Sequence, residues 1–294
     1  LLRTSGFRFN PAMSSVDQFE SLFNAASKTV FQYHPPTLKT ALVVTDLEDT
    51  AARKFTDSIK GFFTAVEGPW ETTDKNGFRT VKDLLDVVEK IRPDFIVTYR
   101  HLHSEAWRWP YSLGEHLDVL IQVIEAPVAI MPHPDREGVP EHAMKDTGSV
   151  MAITDHLAGE DVLVNYAAHF TSLGGTLHLT HIEDEATFER YVDAISKIPE
   201  IDTDIAKEAI HTQLLHDPSE YIDSCEQVLK ENGADLSVVK HVTHGQKLEE
   251  HRKAVEENQV DLVVLEGHDA DQLAMNTTAY SLAVELRTTP VLIV

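Results

Sequence analysis

One cysteine, Cys225, stands among 294 residues. A disulfide framework within the chain is thereby excluded, and the composition suits a reducing cytoplasm. Tyr221, Ile222, Val228 and Leu229 share a helical face with Cys225, so its thiol reads as core rather than as a nucleophile. Long apolar runs are also missing, and none approaches the length that crosses a bilayer, which argues against a membrane partner. Basic residues are scarce. Lys and Arg number 25 against 48 Asp and Glu, leaving a net charge of −23 with no compact basic block to offset it. Such a balance repels a phosphate backbone and excludes nucleic acid as a general partner. No Gly-x-Ser-x-Gly elbow, Gly-x4-Gly-Lys-Ser/Thr loop or His-Glu-x-x-His pair occurs, so no catalytic residue is assigned. Leu1-Leu2-Arg3-Thr4 is too short for a signal peptide, and a chain opening on Leu reads as trimmed or incomplete.

What is present is a repeat. Thr45-Asp46-Leu47-Glu48-Asp49 is echoed by Thr180-His181-Ile182-Glu183-Asp184, Asp94-Phe95-Ile96-Val97 by Asp261-Leu262-Val263-Val264, and Pro127-Val128-Ala129-Ile130 by Pro290-Val291-Leu292-Ile293. Two copies of so long a period indicate a duplicated domain rather than a solenoid. The length suits two domains with separate cores: residues 1–132 and 149–294, joined by a linker over 133–148 whose first part is rich in Pro and Gly.

The second half reads as strands at 150–154, 176–180, 236–242, 261–265 and 290–294. Helices lie between them at about 160–172, 248–257 and 279–286, with a long, partly helical stretch broken near Pro199 and Pro218. In the first half, helical spacing runs from Val16 to Val30, and strands are expected at 41–44, 63–66, 94–98 and 127–130. Helices are expected at 50–59, 81–91 and 117–124, and Gly6-Phe7-Arg8-Phe9 is the candidate first strand. Continuously apolar strands alternating with amphipathic helices imply an α/β fold of open parallel sheets covered on both faces.

The second half resembles a universal stress protein domain. The residues that carry the likeness are the strand ending in Thr154-Asp155, Tyr166-Ala167-Ala168, Leu179-Thr180-His181-Ile182, Val242-Thr243-His244-Gly245, Asp261 to Gly267, and Thr289-Pro290-Val291-Leu292-Ile293-Val294. The first half repeats the later part of that pattern, so the chain resembles a tandem member of the family. The resemblance implies two sheets of strand order 3-2-1-4-5, paired as an intramolecular pseudo-dimer, and it leaves a homodimer open. It also implies adenine-nucleotide binding at a Gly-x2-Gly-x9-Gly-Ser/Thr loop after the fourth strand, where exposed amides cradle phosphates.

That loop departs from the pattern. Gly267 keeps the first glycine, Ala270 takes the second position, and Thr277-Thr278 stands where Gly-Ser/Thr is expected. In the first half Gly114 keeps the third glycine's distance from Pro127, with Tyr99 in place of the first. Asp269 and Asp271 put carboxylates where phosphate would lie, at a cost of at least a few kcal/mol unless a cation bridges them. Tight ATP binding is therefore disfavoured. Asp155 matches the family's adenine-side aspartate, and with Gly267, Thr278 and Gly114 it makes up the nucleotide-binding candidates.

Histidines gather at the expected strand ends. His156, His181, His244 and His268, with Asp269, are candidate ligands for a divalent metal such as zinc in the crevice at the strands' carboxyl ends. The expected function is a cytoplasmic stress-response binding or signalling protein acting on protein partners or a small ligand. The alternative is a metal- or nucleotide-dependent enzyme, a weak phosphohydrolase using the second-domain crevice.

Overall fold

A strand that is apolar at every position must be covered on both faces, and the short runs Ala41–Val43 (β1), Phe95–Tyr99 (β3) and Val128–Met131 (β4) are buried throughout. The computed structural model describes residues 29–154, 157–199, 201–267 and 277–294. These strands join Trp70–Thr72 (β2), Ser149–Ile153 (β5), Gly175–Asp184 (β6), Leu236–Gly245 (β7), Leu262–Leu265 (β8) and Val291–Ile293 (β9) in one nine-stranded sheet of order β2-β1-β3-β4-β9-β8-β5-β6-β7. Every pairing is parallel except β4 with β9, where Val128, Ala129 and Ile130 face Ile293, Leu292 and Val291. The second half thus has the order 3-2-1-4-5.

The helices are α1 (Asp49–Phe62), α2 (Val81–Ile91), α3 (Glu115–Val123), α4 (Asp161–Phe170), α5 (Glu185–Ile195), α6 (Thr203–Glu231), α7 (Lys247–Glu257) and α8 (Thr277–Glu285). Local chemistry fixes several of their starts. Thr80 and Asp83 form a reciprocal capping box on α2, and Asp184 and Asp202 accept first-turn amides of α5 and α6. One apolar layer takes Ile59 and Phe62 of α1, Leu163 and Val164 of α4, and Tyr221, Cys225 and Leu229 of α6. The other takes Leu84 of α2, Leu117 of α3, Val255 of α7 and Leu282 of α8.

The expectation of two separate cores is corrected here. The cores are the two faces of one sheet, and each runs across the β4–β9 seam, with Ala129 and Leu292 in one and Ile130 and Val291 in the other. Hydrogen bonding across the seam makes the two parallel sheets continuous.

Three further expectations change. Ala41–Val43 is the first strand of its half, not the second, because it lies between β2 and β3 as β5 lies between β6 and β8. Thr45-Asp46 therefore corresponds to Thr154-Asp155 rather than to Thr180-His181. The expected strand at 63–66 is a turn after α1, whose Phe63 and Val66 are buried, and the edge strand is Trp70–Thr72. A four-residue apolar run cannot by its pattern separate a strand from a helix end packed into a core. Pro218 does not break α6, which runs 29 residues through it. The turn after Pro218 is anchored by buried Tyr221, Ile222 and Cys225, and that burial offsets the lost backbone hydrogen bond. The candidate strand at Gly6–Phe9 lies outside the described residues, as does nearly all of the expected helix ending at Val30.

The halves match bond for bond where the sequence repeats. Asp94 accepts the Thr40 amide (3.0 Å) and Asp261 the Ser149 amide (2.8 Å), and both aspartates donate their own amides back at 2.8 Å. Ile96 donates to the Pro127 carbonyl and Val263 to that of Pro290, each at 3.0 Å. Because β4 and β9 run antiparallel, the carboxyl ends of the two sets of strands lie at opposite edges of the sheet.

Candidate functional site

In an open parallel sheet the ligand crevice forms at the strands' carboxyl ends. Beyond β1 and β3 lies a cavity of about 770 Å³, lined among others by Asp46, Lys75, Arg79, His101, His103 and Gly114. Asp46 leaves β1 and is held from both sides. Its Oδ1 accepts the Tyr99 hydroxyl, and its Oδ2 accepts the His103 amide. Tyr99 in turn receives the Asp46 amide at 3.2 Å and meets Thr45 Oγ1 at 2.8 Å. Since the Tyr99 proton goes to Asp46, the Thr45 hydroxyl is the donor to Tyr99, and its oxygen accepts the Leu47 amide at 3.1 Å. Burial first, then Asp46, raises the Tyr99 hydroxyl far above its ordinary value, so it remains a donor.

Lys75 and Arg79 bring positive charge to this crevice. Lys75 pairs with exposed Glu48 at 2.7 Å, and that hydrogen bond raises its pKa. Among the described residues no ion pair engages the Arg79 guanidinium, while its carbonyl meets His116 Nε2 at 3.2 Å. His101 lies at φ 57° and His103 at φ 59°, a left-handed turn that aims both rings around the end of β3. His101 Nε2 donates to the Ser112 carbonyl (2.8 Å), which leaves Nδ1 as an acceptor. Burial lowers its pKa, so it stays neutral.

Gly114 caps α3 at φ 98°. A Cβ there would stand 2.9 Å from His101 Cα and 3.0 Å from His101 N, both backbone atoms that cannot give way. The glycine thus admits the β3 turn and opens the N-terminus of α3 to the cavity. Gly114→Ala is expected to cost about 1–3 kcal/mol in urea unfolding. Gly174→Ala, at φ 72° with nothing within 4 Å, should cost less. Equal losses would show that contact with His101 plays no part.

The second-half candidates are placed differently. The Gly267 amide is spent on the Val294 carbonyl at 2.7 Å, and a Cβ there would lie 2.5 Å from the Ile293 side chain, so close strand packing requires the glycine. The register also puts Arg100, not Tyr99, at the place of Gly267, since Asp94 matches Asp261. Thr278 lines a cavity of about 550 Å³ with Asp184, Lys247 and Arg252. Buried His181 lies 3.5 Å from Glu183, whereas His244 meets His211 of α6 at 3.3 Å. Among the described residues no group of three or more His, Cys, Asp or Glu is placed to hold a metal. Asp155, His156, His268 and Asp269 lie outside the described residues.

Sequence reasoning missed Asp46, Lys75 and Arg79. A signal for the first was present: Leu42-Val43-Val44-Thr45-Asp46 parallels Met151-Ala152-Ile153-Thr154-Asp155. The parallel extends to hydrogen bonding, since Thr45 bonds Tyr99 and Thr154 bonds Glu266 (2.8 Å) at the matching place after β8. Trp107 stacks on His133 at 4.2 Å, while Trp109 and Tyr111 are exposed. Cys225 is buried, and burial raises its thiol pKa.

Among the described residues no helix is long and apolar enough to cross a membrane. Residues 147–294 match the universal stress protein family, and no curated protein matches the chain. Solved structures share the fold. A putative universal stress protein from Pseudomonas aeruginosa is 12% identical with a TM-score of 0.52, over 87% of this chain and 93% of that one. A functionally unknown protein from the same species is also 12% identical, with a TM-score of 0.51 over 87% and 92%. A universal stress protein from Archaeoglobus fulgidus is 14% identical, with a TM-score of 0.50 over 86% and 95%.

Proposed function

The chain belongs to the universal stress protein family, and from that premise we propose that it is a tandem member, a stress-response binding or signalling protein whose ligand site is the first-half crevice. The tandem reading is supported by the matched hydrogen bonds of Asp94 and Asp261, of Ile96 and Val263, and of Thr45 and Thr154. One observation carries the choice of site. Lys75, Arg79 and the N-terminus of α3 converge on one cavity with Asp46, which in sequence is the first-half counterpart of Asp155. Cations and a helix N-terminus suit a phosphate, and the aspartate suits the base or sugar of an adenine nucleotide.

The expected affinity is modest, because Asp46 and Glu115 in the same lining offset the two cations. In the second half the Gly267 amide faces Val294, so tight ATP binding there stays disfavoured. Calorimetry with ATP and Mg²⁺ at fixed ionic strength tests the assignment. Replacing Lys75 and Arg79 together by Ala should weaken binding on the order of tenfold or more, since two charge-assisted contacts go. Affinity that survives this change but is abolished by Asp155→Ala would place the ligand in the second half instead. Phosphate release during the titration would favour an enzyme.

A further inference from the structure

Arginine is scarce in this acidic chain, yet three arginines distant in sequence meet where the two halves join. Arg100 follows β3 and is buried. Its Nη2 donates to the carbonyls of Ala283 and Leu286 (2.8 Å for the latter) at the C-terminal end of α8. The next residue, Arg287, donates from Nη2 to the Trp107 carbonyl at 2.7 Å. Trp107 stacks on His133 with rings 8° apart, and the His133 carbonyl accepts the Arg136 amide at 2.9 Å. These contacts bring Arg100 and Arg287 together and the backbone of Arg136 beside them, and the charges of Arg287 and Arg136 act on Arg100 and that of Arg136 on Arg287.

Backbone carbonyls answer part of the charge of Arg100 and Arg287, but among the described residues no carboxylate forms an ion pair with any of the three. Among the described residues, the charged groups acting on Arg100 and Arg287 are other arginines. Burial, then Arg287 and Arg136, pushes the Arg100 guanidinium down to about 9, so it remains protonated at neutral pH. The nearby acids are turned elsewhere: Glu105 pairs with Arg108 at 2.7 Å, and Asp135 acts on His133. Among the described residues, the buried Nε atoms of Arg100 and Arg136 have no hydrogen-bond partner. A buried donor without an acceptor is costly, and a cluster of like charges more so, unless an anion completes it.

We propose that the seam between the halves binds a phosphate group, free or as a monoester, between Arg100, Arg136 and Arg287. Guanidinium forks match phosphate oxygens in geometry and charge. The bound anion bridges the halves, because Arg100 and Arg136 belong to the first half and its outgoing segment, and Arg287 to the second. This site is separate from the Lys75–Arg79 crevice and stands or falls independently of it.

The test is calorimetry on the full chain with inorganic phosphate and with glycerol phosphate, both at constant ionic strength. In the Lys75→Ala, Arg79→Ala background, where the crevice cations are gone, one-to-one binding is expected, weakened on the order of tenfold or more by adding Arg136→Gln with Arg287→Gln. Arg100 is left in place because it also holds the end of α8. Phosphate should raise the melting temperature of that background and not of the seam variant built on it, whose folding circular dichroism confirms. Binding of inorganic phosphate alone identifies a free anion, and binding of both compounds identifies the phosphate of a larger ligand. No binding of either, or equal affinity in that background and the seam variant, overturns the proposal.

Discussion

A chain lacking residues 290–294 is expected to lose cooperative unfolding and to precipitate or self-associate on purification. The strand removed is not peripheral: β9 lies between β4 and β8 in the middle of the sheet, and Val291, Leu292 and Ile293 are buried. Full burial of each such side chain contributes about 1.5–3 kcal/mol. Three together rival much of the roughly 5–15 kcal/mol that holds a domain folded. The deletion also opens the facing edges of β4 and β8, two apolar strands whose freed amides and carbonyls would pair with other chains. Leu292→Ala is the graded version, since Leu292 pairs with both Ala129 and Val264. It should cost about 2–5 kcal/mol in denaturant unfolding. A truncated protein that stays monomeric with an unchanged melting temperature would refute the seam's role.

Acidification from pH 7 to pH 5 is expected to destabilise the protein by about 2 kcal/mol through His178 alone. The cause lies in a chain of oriented protons between β5, β6 and β7. Ser149 Oγ donates to the Asn258 carbonyl (3.3 Å), so it accepts from His178 Nε2 (3.2 Å). His178 Nδ1 is then an acceptor, filled by His241 Nε2 at 2.9 Å. A second proton on His178 has no lone pair to meet. Burial, then the charge of His241, pushes His178 down to about 4, and burial lowers His241 as well. In the unfolded chain His178 takes its proton near pH 6.5, while in the fold it resists until about 4. The stabilisation is whole above pH 6.5 and is lost as pH falls from there toward 4. Unfolding by urea at pH 7 and pH 5 measures it. His178→Asn, which can still accept from His241, should flatten the difference. A wild type equally stable at both values would contradict the assignment.

Legibility followed distance along the chain. Every second-half strand was readable because each apolar run is bounded by turn residues and covered by its own neighbouring helices. The first half misled by one unit, because Phe63 and Val66 are as apolar as a strand but owe their burial to the end of α1. Pro218 reads as a breaker unless the burial of Tyr221 and Cys225 beyond it is known. At the site, Gly114 was visible from its spacing to Pro127, while its contact with His101 was not. Asp46 was recoverable from the repeated Thr-Asp, but Lys75 and Arg79 come from a stretch with no counterpart in the repeat. The arginine seam was illegible, since Arg100 and Arg287 meet only through α8 and β9.

The β4–β9 pair also sets a timetable for synthesis. Ala129 and its partner Leu292 are some 160 residues apart. At about 5–20 residues per second, the two strands leave the ribosome on the order of ten to thirty seconds apart. Through that interval the nascent first half displays the open edge of Val128-Ala129-Ile130-Met131, all apolar, with the strand that will close it not yet made. Loop closure over so long a separation is slow compared with forming the local βα units. The newly made chain therefore passes through a period in which it is most exposed to wrong partners and most in need of a chaperone's cover.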